Sequence, residues 1–240
     1  MRIDVYLAEN GLVSSRTEAK RFIDEGAVYI NGKQIGKPSY DVDGSEEISV
    51  DKTVKEFVSR GGIKLKGALF EFGVNVCGRL CLDVGASSGG FTDCLLKSGA
   101  KHVIAVDSGS GQLNESIRRD NRVTVFENYN ARYMKAEDFE YSPDLVVMDV
   151  SFISATYIIT SVYDVLSEGG DFICLIKPQF EVGRSNLGKG GIVKDSKARE
   201  NAIKKVVDCA IGCGFSVKGI IQSSIKGGDG NIEFLAHFVK

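Results

Sequence analysis

The sequence predicts an α/β protein in which a mostly parallel sheet, covered on both faces and ended by an antiparallel hairpin, follows a small α+β module. Three observations carry that prediction. From residue 61 onward the runs LCLDV, HVIAVD, VTVF, DLVVMDV and DFICLI alternate with helical stretches such as FTDCLLKSG and KARENAIKKVVDCAIG, the order of a doubly wound sheet. These runs are mostly apolar rather than alternating, as strands buried on both faces are. The last two strands, FSVKGIIQSS and NIEFLAHFV, flank KGGDG with no helix between them.

The first fifty residues are punctuated separately. Asp4 is placed to cap a short helix, VYLAEN, that stops at Gly11. Ser15 and Glu18 read as a capping box for a second helix, with Ala19, Phe22 and Ile23 on one face. Gly26 ends that helix, and AVYINGKQI carries Asn31 and Gly32 between two β-prone runs, the mark of a two-residue hairpin. YDVDGSEE, a short strand and DKTVKEFVSRGG follow. The expected organisation is a module over residues 1–50, a linker over 51–60 and a larger domain over 61–240.

Composition narrows the function classes. The chain has 240 residues, 43% hydrophobic and 26% charged, which argues against a disordered or fibrous protein. Lys and Arg total 30 against 32 acids, a net charge of −2, so any polyanion must be met by a local patch. The six cysteines form no C-x-x-C pair and only two histidines occur, so no metal is expected. MRIDVYLAENG lacks the apolar stretch of a signal peptide, and no apolar run approaches the ~20 residues of a spanning helix. A cytoplasmic protein without membrane contact is expected.

LDVGASSGGFTDCLL leads from a strand through a glycine turn into a helix, a geometry that three chemistries use. A dinucleotide fold spells G-x-G-x-x-G, but Ser87 stands two positions after Gly85. A hydrolase elbow, G-x-S-x-G, is matched with Ser87 as nucleophile, and its histidine would be His237, in the order Ser87, Asp149, His237. An S-adenosylmethionine pocket needs an acid ending the first strand, here Asp83. It needs a turn that lets the ligand approach the backbone, here Gly85, Ser87, Gly89 and Gly90, and an acid ending the second strand for the ribose hydroxyls, here Asp107. The convergence of these groups at adjacent strand ends favours the third chemistry.

Two further strand ends carry Asp149, in VVMDVSFIS, and Lys177, in LIKPQFE. A lysine closing an apolar strand is costly to desolvate unless it faces a cleft. Lys64, in SRGGIKL, precedes the first sheet strand, and Glu233, in GNIEF, lies on the last.

Together SRGGIKL, LDVGASSGGFTD, VVMDVSFIS, IKPQFEVG and GNIEF resemble the FtsJ-type ribose methyltransferases. RIDVYLAENGLVSSRTEAKRFIDEGAVYINGKQI resembles the RNA-binding domain named after ribosomal protein S-four, so the whole chain is similar to the TlyA subgroup, which also carries the label haemolysin A. The resemblance implies a Rossmann-like methyltransferase fold with a seven-stranded sheet and a catalytic K-D-K-E tetrad on Lys64, Asp149, Lys177 and Glu233. It implies S-adenosyl-L-methionine held by Asp83, Gly85, Ser87, Gly89, Gly90, Asp107 and Asp149, and transfer to a cytidine 2′-hydroxyl in ribosomal RNA or ribosomal subunits. Arg16, Lys20, Arg21 and Lys33 would bind structured RNA at its phosphates.

The chemistry agrees with the resemblance. A ribose hydroxyl is a poor nucleophile, so the protein must position it and help with one proton. A lysine titrates near ~10.4, but desolvation and a neighbouring lysine favour its neutral form, so Lys177 is expected as base or as donor to the forming alkoxide. EVGRSNLGKGGIVKD is expected as a mobile loop that grips substrate, with a long surface connection as the alternative. A lytic protein, or an RNA-binding module without methyl transfer, is the rival reading, and no strongly basic amphipathic segment supports lysis.

Overall fold

The computed structural model describes residues 1–24, 26–51 and 56–240, so residues 52–55 of the expected linker lie outside the described residues. It divides into two compact units, Met1–Arg60 and Gly61–Lys240.

In the first unit α1 (Ile3–Glu9) and α2 (Arg16–Asp24) bury Ile3, Leu7, Ala19, Phe22 and Ile23. Strands β1 (Val28–Ile30), β2 (Lys33–Gln34) and β3 (Ile48–Val50) form an antiparallel sheet in the order β2-β1-β3. Asn31 and Gly32 both take positive φ, 49° and 72°, which sets Ile30 opposite Lys33 across a two-residue turn. Two cap expectations change. Asp4 does not cap α1; it lies inside the helix, fully buried, where Arg2 and Arg16 donate to it at 2.9 and 3.2 Å. Ionic pairing outweighed the capping preference of an isolated Asp. Ser15 Oγ accepts from the Glu18 N–H at 3.1 Å as a capping box requires, but the Glu18 carboxylate reaches back to Ser14.

The second unit holds a seven-stranded sheet of β4 (Leu80–Val84), β5 (His102–Val106), β6 (Val123–Phe126), β7 (Leu145–Met148), β8 (Asp171–Ile176), β9 (Ser216–Gln222) and β10 (Phe234–Val239). Its helices are α3 (Gly61–Phe72), α4 (Gly90–Lys97), α5 (Glu115–Arg118), α6 (Ile159–Val165), α7 (Pro178–Glu181) and α8 (Ser196–Cys213). The strand order is β6-β5-β4-β7-β8-β10-β9, with β10 antiparallel to both neighbours and the first five parallel. All four residues of β7 and the last four of β4 and β5 are buried, which is why β5 and β7 read as apolar runs and why Asp83 in β4 is enclosed among apolar neighbours. Phe172, Phe215 and Phe238 meet on one face, the Phe172 and Phe238 rings stacked at 5.6 Å.

Helix α3 was not anticipated. Its two leading glycines, which disfavour a helix interior, stand at its start, where the backbone cost is smallest.

A charged network clamps the amino edge of the sheet. Arg79 donates to Asp144 at 2.8 Å and to Asp171 at 2.5 Å, and His237 Nε2 lies 2.6 Å from the second oxygen of Asp171. Burial pushes the Asp171 carboxyl up, but the bonds from His237 and Arg79 outweigh it and hold the group below the usual carboxylate range.

Candidate active site

The carboxyl edge of the sheet collects the chemistry. After β4 the chain turns through Gly85 (φ 84°), Ser87 (φ 48°) and Gly89 (φ 93°) before Gly90 opens α4. Gly85 is obligatory on two grounds: its φ is left-handed, and a Cβ there would overlap the carbonyl oxygen of Asp149. Asp107, just past β5, braces this turn, since its two oxygens accept from the backbone N–H groups of Ser87 and Gly109, each at 2.7 Å. A cavity of about 430 Å³ opens beside it, lined by Gly85, Ser87, Asp107, Tyr129, Asp149 and Phe152 among others.

Of the residues expected around the methyl donor, Gly85, Ser87, Asp107 and Asp149 line this cavity. Asp83, Gly89 and Gly90 are not among its lining residues. Asp83 is wholly buried; Thr92 Oγ1 donates to its Oδ2 at 2.6 Å, while its Oδ1 has no hydrogen-bond partner among the described residues. Burial pushes this carboxyl up to about 7, against the lowering effect of the Thr92 bond, and the charges of Asp149 and Asp107 push the same way.

The four expected catalytic residues form two ion pairs. Lys177 Nζ lies 2.5 Å from Asp149 Oδ1 and donates a hydrogen bond to Ser151 Oγ at 2.7 Å. Contact with Asp149 is close but not aligned as a hydrogen bond, so the directional partner of Lys177 is Ser151. Lys64, on the buried face of α3, donates to Glu233 Oε2 at 2.6 Å. The two pairs sit at one edge by register: Phe234 opposes Ile176, so Glu233, one residue before, and Lys177, one residue after, extend the same antiparallel ladder. Gly227 makes room for Glu233, because a Cβ there would stand 2.5 Å from Glu233 Oε1.

The hydrolase reading is overturned. Ser87 Oγ donates to Gln112 Oε1 at 3.2 Å, whereas His237 pairs with Asp171 in the network of the opposite edge. A triad cannot span the length of a strand.

The segment read as a mobile loop carries structure of its own. Arg184–Asn186 and Lys189–Gly191 form 3₁₀ turns, and the buried Asn231 accepts from the Val193 N–H at 2.9 Å and donates to the Gly191 carbonyl at 3.1 Å. That anchor lies two residues from Glu233.

In the first unit Arg16, Lys20, Arg21 and Lys33 are all exposed. Arg16 is shared with Asp4, and Arg21 lies 3.8 Å from Glu18 and over the ring of Phe22.

Sequence reasoning missed Ser151, Gln112, Tyr129 and Phe152. Phe152 is the most telling: its φ is 64°, and it is 92% exposed. A bulky residue in the left-handed region marks a constrained position. The motif VVMDVSFIS contained Ser151 and Phe152, but nothing in residue type or spacing signals a positive φ at a phenylalanine.

A profile of the FtsJ-like methyltransferase family matches residues 57–240, and one of the S4 domain matches residues 1–48. Hemolysin A of Brachyspira hyodysenteriae is 43% identical over 240 residues and all of both chains. The 16S/23S rRNA (cytidine-2′-O)-methyltransferase TlyA of Mycobacterium tuberculosis is 42% identical over 234 residues, 97% of this chain and 87% of that one. Among solved structures, one named provisionally as a hemolysin, from Streptococcus thermophilus, superposes with a TM-score of 0.79 at 44% identity, covering 100% of this chain and 88% of that one. An S-adenosylmethionine dependent methyltransferase from Mesorhizobium loti, 14% identical and covering 72% and 96%, shares the fold with a TM-score of 0.54.

Proposed function

The chain belongs to the FtsJ-like methyltransferase family and carries an S4 domain at its amino end, and on that premise we propose that it methylates a ribose 2′-hydroxyl, that of a cytidine, in ribosomal RNA, with S-adenosylmethionine as donor. One observation carries the reading: two lysine–carboxylate pairs, Lys177 with Asp149 and Lys64 with Glu233, stand at the sheet edge where a glycine turn opens a cavity.

The cavity suits a nucleoside-bearing donor. Gly85 leaves its backbone bare, and Asp107 and Ser87 offer polar groups at its wall. When bound, the donor supplies an electrophilic sulfonium methyl. The chain's own residues do the rest. Lys177, fixed between Asp149 and Ser151, meets the ribose oxygen and steadies its developing negative charge as the O–C bond forms, the donor's S–C bond breaks and the hydroxyl proton passes to solvent water. Asp149 reaches both that lysine and the cavity wall, so it couples nucleophile and donor sites. Lys64, neutralised by Glu233, holds the second pair next in register. Phe152 offers an exposed aromatic face to a base, and Lys189 and Lys194, in the segment anchored by Asn231, are placed to meet phosphates. Arg16, Lys20, Arg21 and Lys33 dock a folded RNA element through its backbone. Such a substrate places the protein in the cytoplasm.

Among the described residues no helix is long and apolar enough to cross a membrane. Tritiated-methyl transfer to ribosomal subunits, followed by ribose analysis, tests the reading. The intact chain is expected to label a 2′-O-methylcytidine. Lys177→Ala is expected to lose transfer at least ~100-fold while its donor affinity stays within about twofold. Label on a base, or full transfer by that variant, would defeat it.

A further inference from the structure

Four residues beyond Lys177, a carboxylate that the proposed chemistry does not use is buried behind the site. Glu181 ends α7, with its side chain only 2% exposed. Its Oε1 accepts the Ala155 N–H at 2.7 Å; its Oε2 accepts the Ser154 hydroxyl at 2.5 Å and the Lys205 ammonium at 3.0 Å. Lys205 also donates to the Glu181 carbonyl at 3.2 Å. A buried carboxylate is tolerated only where donors meet its charge, and these three come from two different places. Ser154 and Ala155 close the segment that starts at Asp149. Lys205 belongs to α8, which buries Ala198, Ala202, Val206 and Ala210.

Two chain segments are therefore joined twice. Residues 177–181 and 149–155 meet at the site through the ion pair of Lys177 with Asp149 and its hydrogen bond to Ser151, and behind it through Glu181. The second joint sets the distance over which the first can form. We infer that Glu181, charged against Lys205, is a positioning residue for Lys177: it seats residues 149–155 so that Ser151 and Asp149 hold the Lys177 ammonium. Its effect on rate rests on the function proposed above; its effect on how Lys177 is held does not.

The test reads that hold directly. In Glu181→Gln an amide nitrogen replaces one acceptor and faces donors, so the rear joint loosens at nearly constant volume. The intact chain and the variant are pulsed with acetic anhydride, and acetylation is quantified at Lys177 and Lys64 by mass spectrometry. Lys177 is expected to label at least about fivefold faster in the variant, with Lys64, bonded to Glu233, within about twofold. Single-turnover methyl transfer is expected to fall ~10–100-fold, as misplacement near 1 Å does. Lys205→Met, which leaves the Ser154 and Ala155 donors in place, is expected to speed Lys177 labelling at least about twofold, and it decides the matter where Glu181→Gln gives no cooperative melt. Unchanged Lys177 labelling in both variants, or a parallel rise at Lys64, would overturn the assignment. An intact chain inactive on ribosomal subunits would instead overturn the proposed function, leaving the labelling comparison to decide Glu181.

Discussion

The Asp83→Asn substitution isolates the most perturbed carboxyl of the sheet edge. Asp83 has no exposed surface, one bonded oxygen and one without a partner among the described residues, and burial carries its pKa from 3.8 to about 7. A carboxyl raised in the folded state favours the neutral form there. Its contribution is complete below the unfolded value near 3.8 and is lost as pH rises through about 7. At about 1.4 kcal/mol per pH unit, that displacement corresponds to about 4 kcal/mol, of which about 3 kcal/mol is lost between pH 4.5 and pH 8. Asn keeps the acceptor for Thr92 and cannot ionise. Urea titrations by circular dichroism, at half-unit steps from pH 4.5 to pH 8, compare the two proteins under identical conditions. The variant's stability relative to the parent is expected to climb steadily across that range and to level off above about pH 7.5. Parallel pH profiles would refute the reasoning, because every other titrating group is common to both chains.

Three further outcomes are expected. Arg79→Met leaves Asp144 and Asp171 without their shared cation and should cost about 1–2 kcal/mol in urea unfolding while leaving donor affinity unchanged in calorimetry, since the clamp is partly exposed and sits at the edge opposite the site. Phe152→Ala removes a side chain 92% exposed, so the melting midpoint should hold; the KM for ribosomal RNA should rise by the ~5- to 150-fold that about 1–3 kcal/mol of base stacking represents. Lys20→Gln with Lys33→Gln should weaken RNA binding and lower the slope of log Kd against log salt by about 2, one for each phosphate no longer neutralised, with no change in donor affinity.

Much of the architecture was legible because its signals are local. The unbroken apolar runs of β5, β7 and β8 announce strands covered on both faces, and Asn31-Gly32 announces its turn, because each depends on a few adjacent residues. Helix α3 was not legible: its glycines argue against a helix until Lys64 and Leu65 are seen buried on one face of it. Asp4 misled for the same reason, since its partners Arg2 and Arg16 come together only once two helices pack.

The candidate site divides along the same line. Residue type and position pointed to Asp149, Lys177 and the glycine turn at strand ends, while Lys64 and Glu233 stood out only through the resemblance of their motifs to the FtsJ-type methyltransferases. Which carboxylate would meet which lysine was decided only by tertiary packing, for Lys64 and Glu233 lie 169 residues apart and become partners because α3 packs against β9, the neighbour of β10. Tertiary packing likewise sent His237 to the far edge and sealed Asp83 from water. The chain's local code specifies elements and reactive groups; distances, burial and charge pairing are set by packing between segments remote in sequence, where periodicity carries no information.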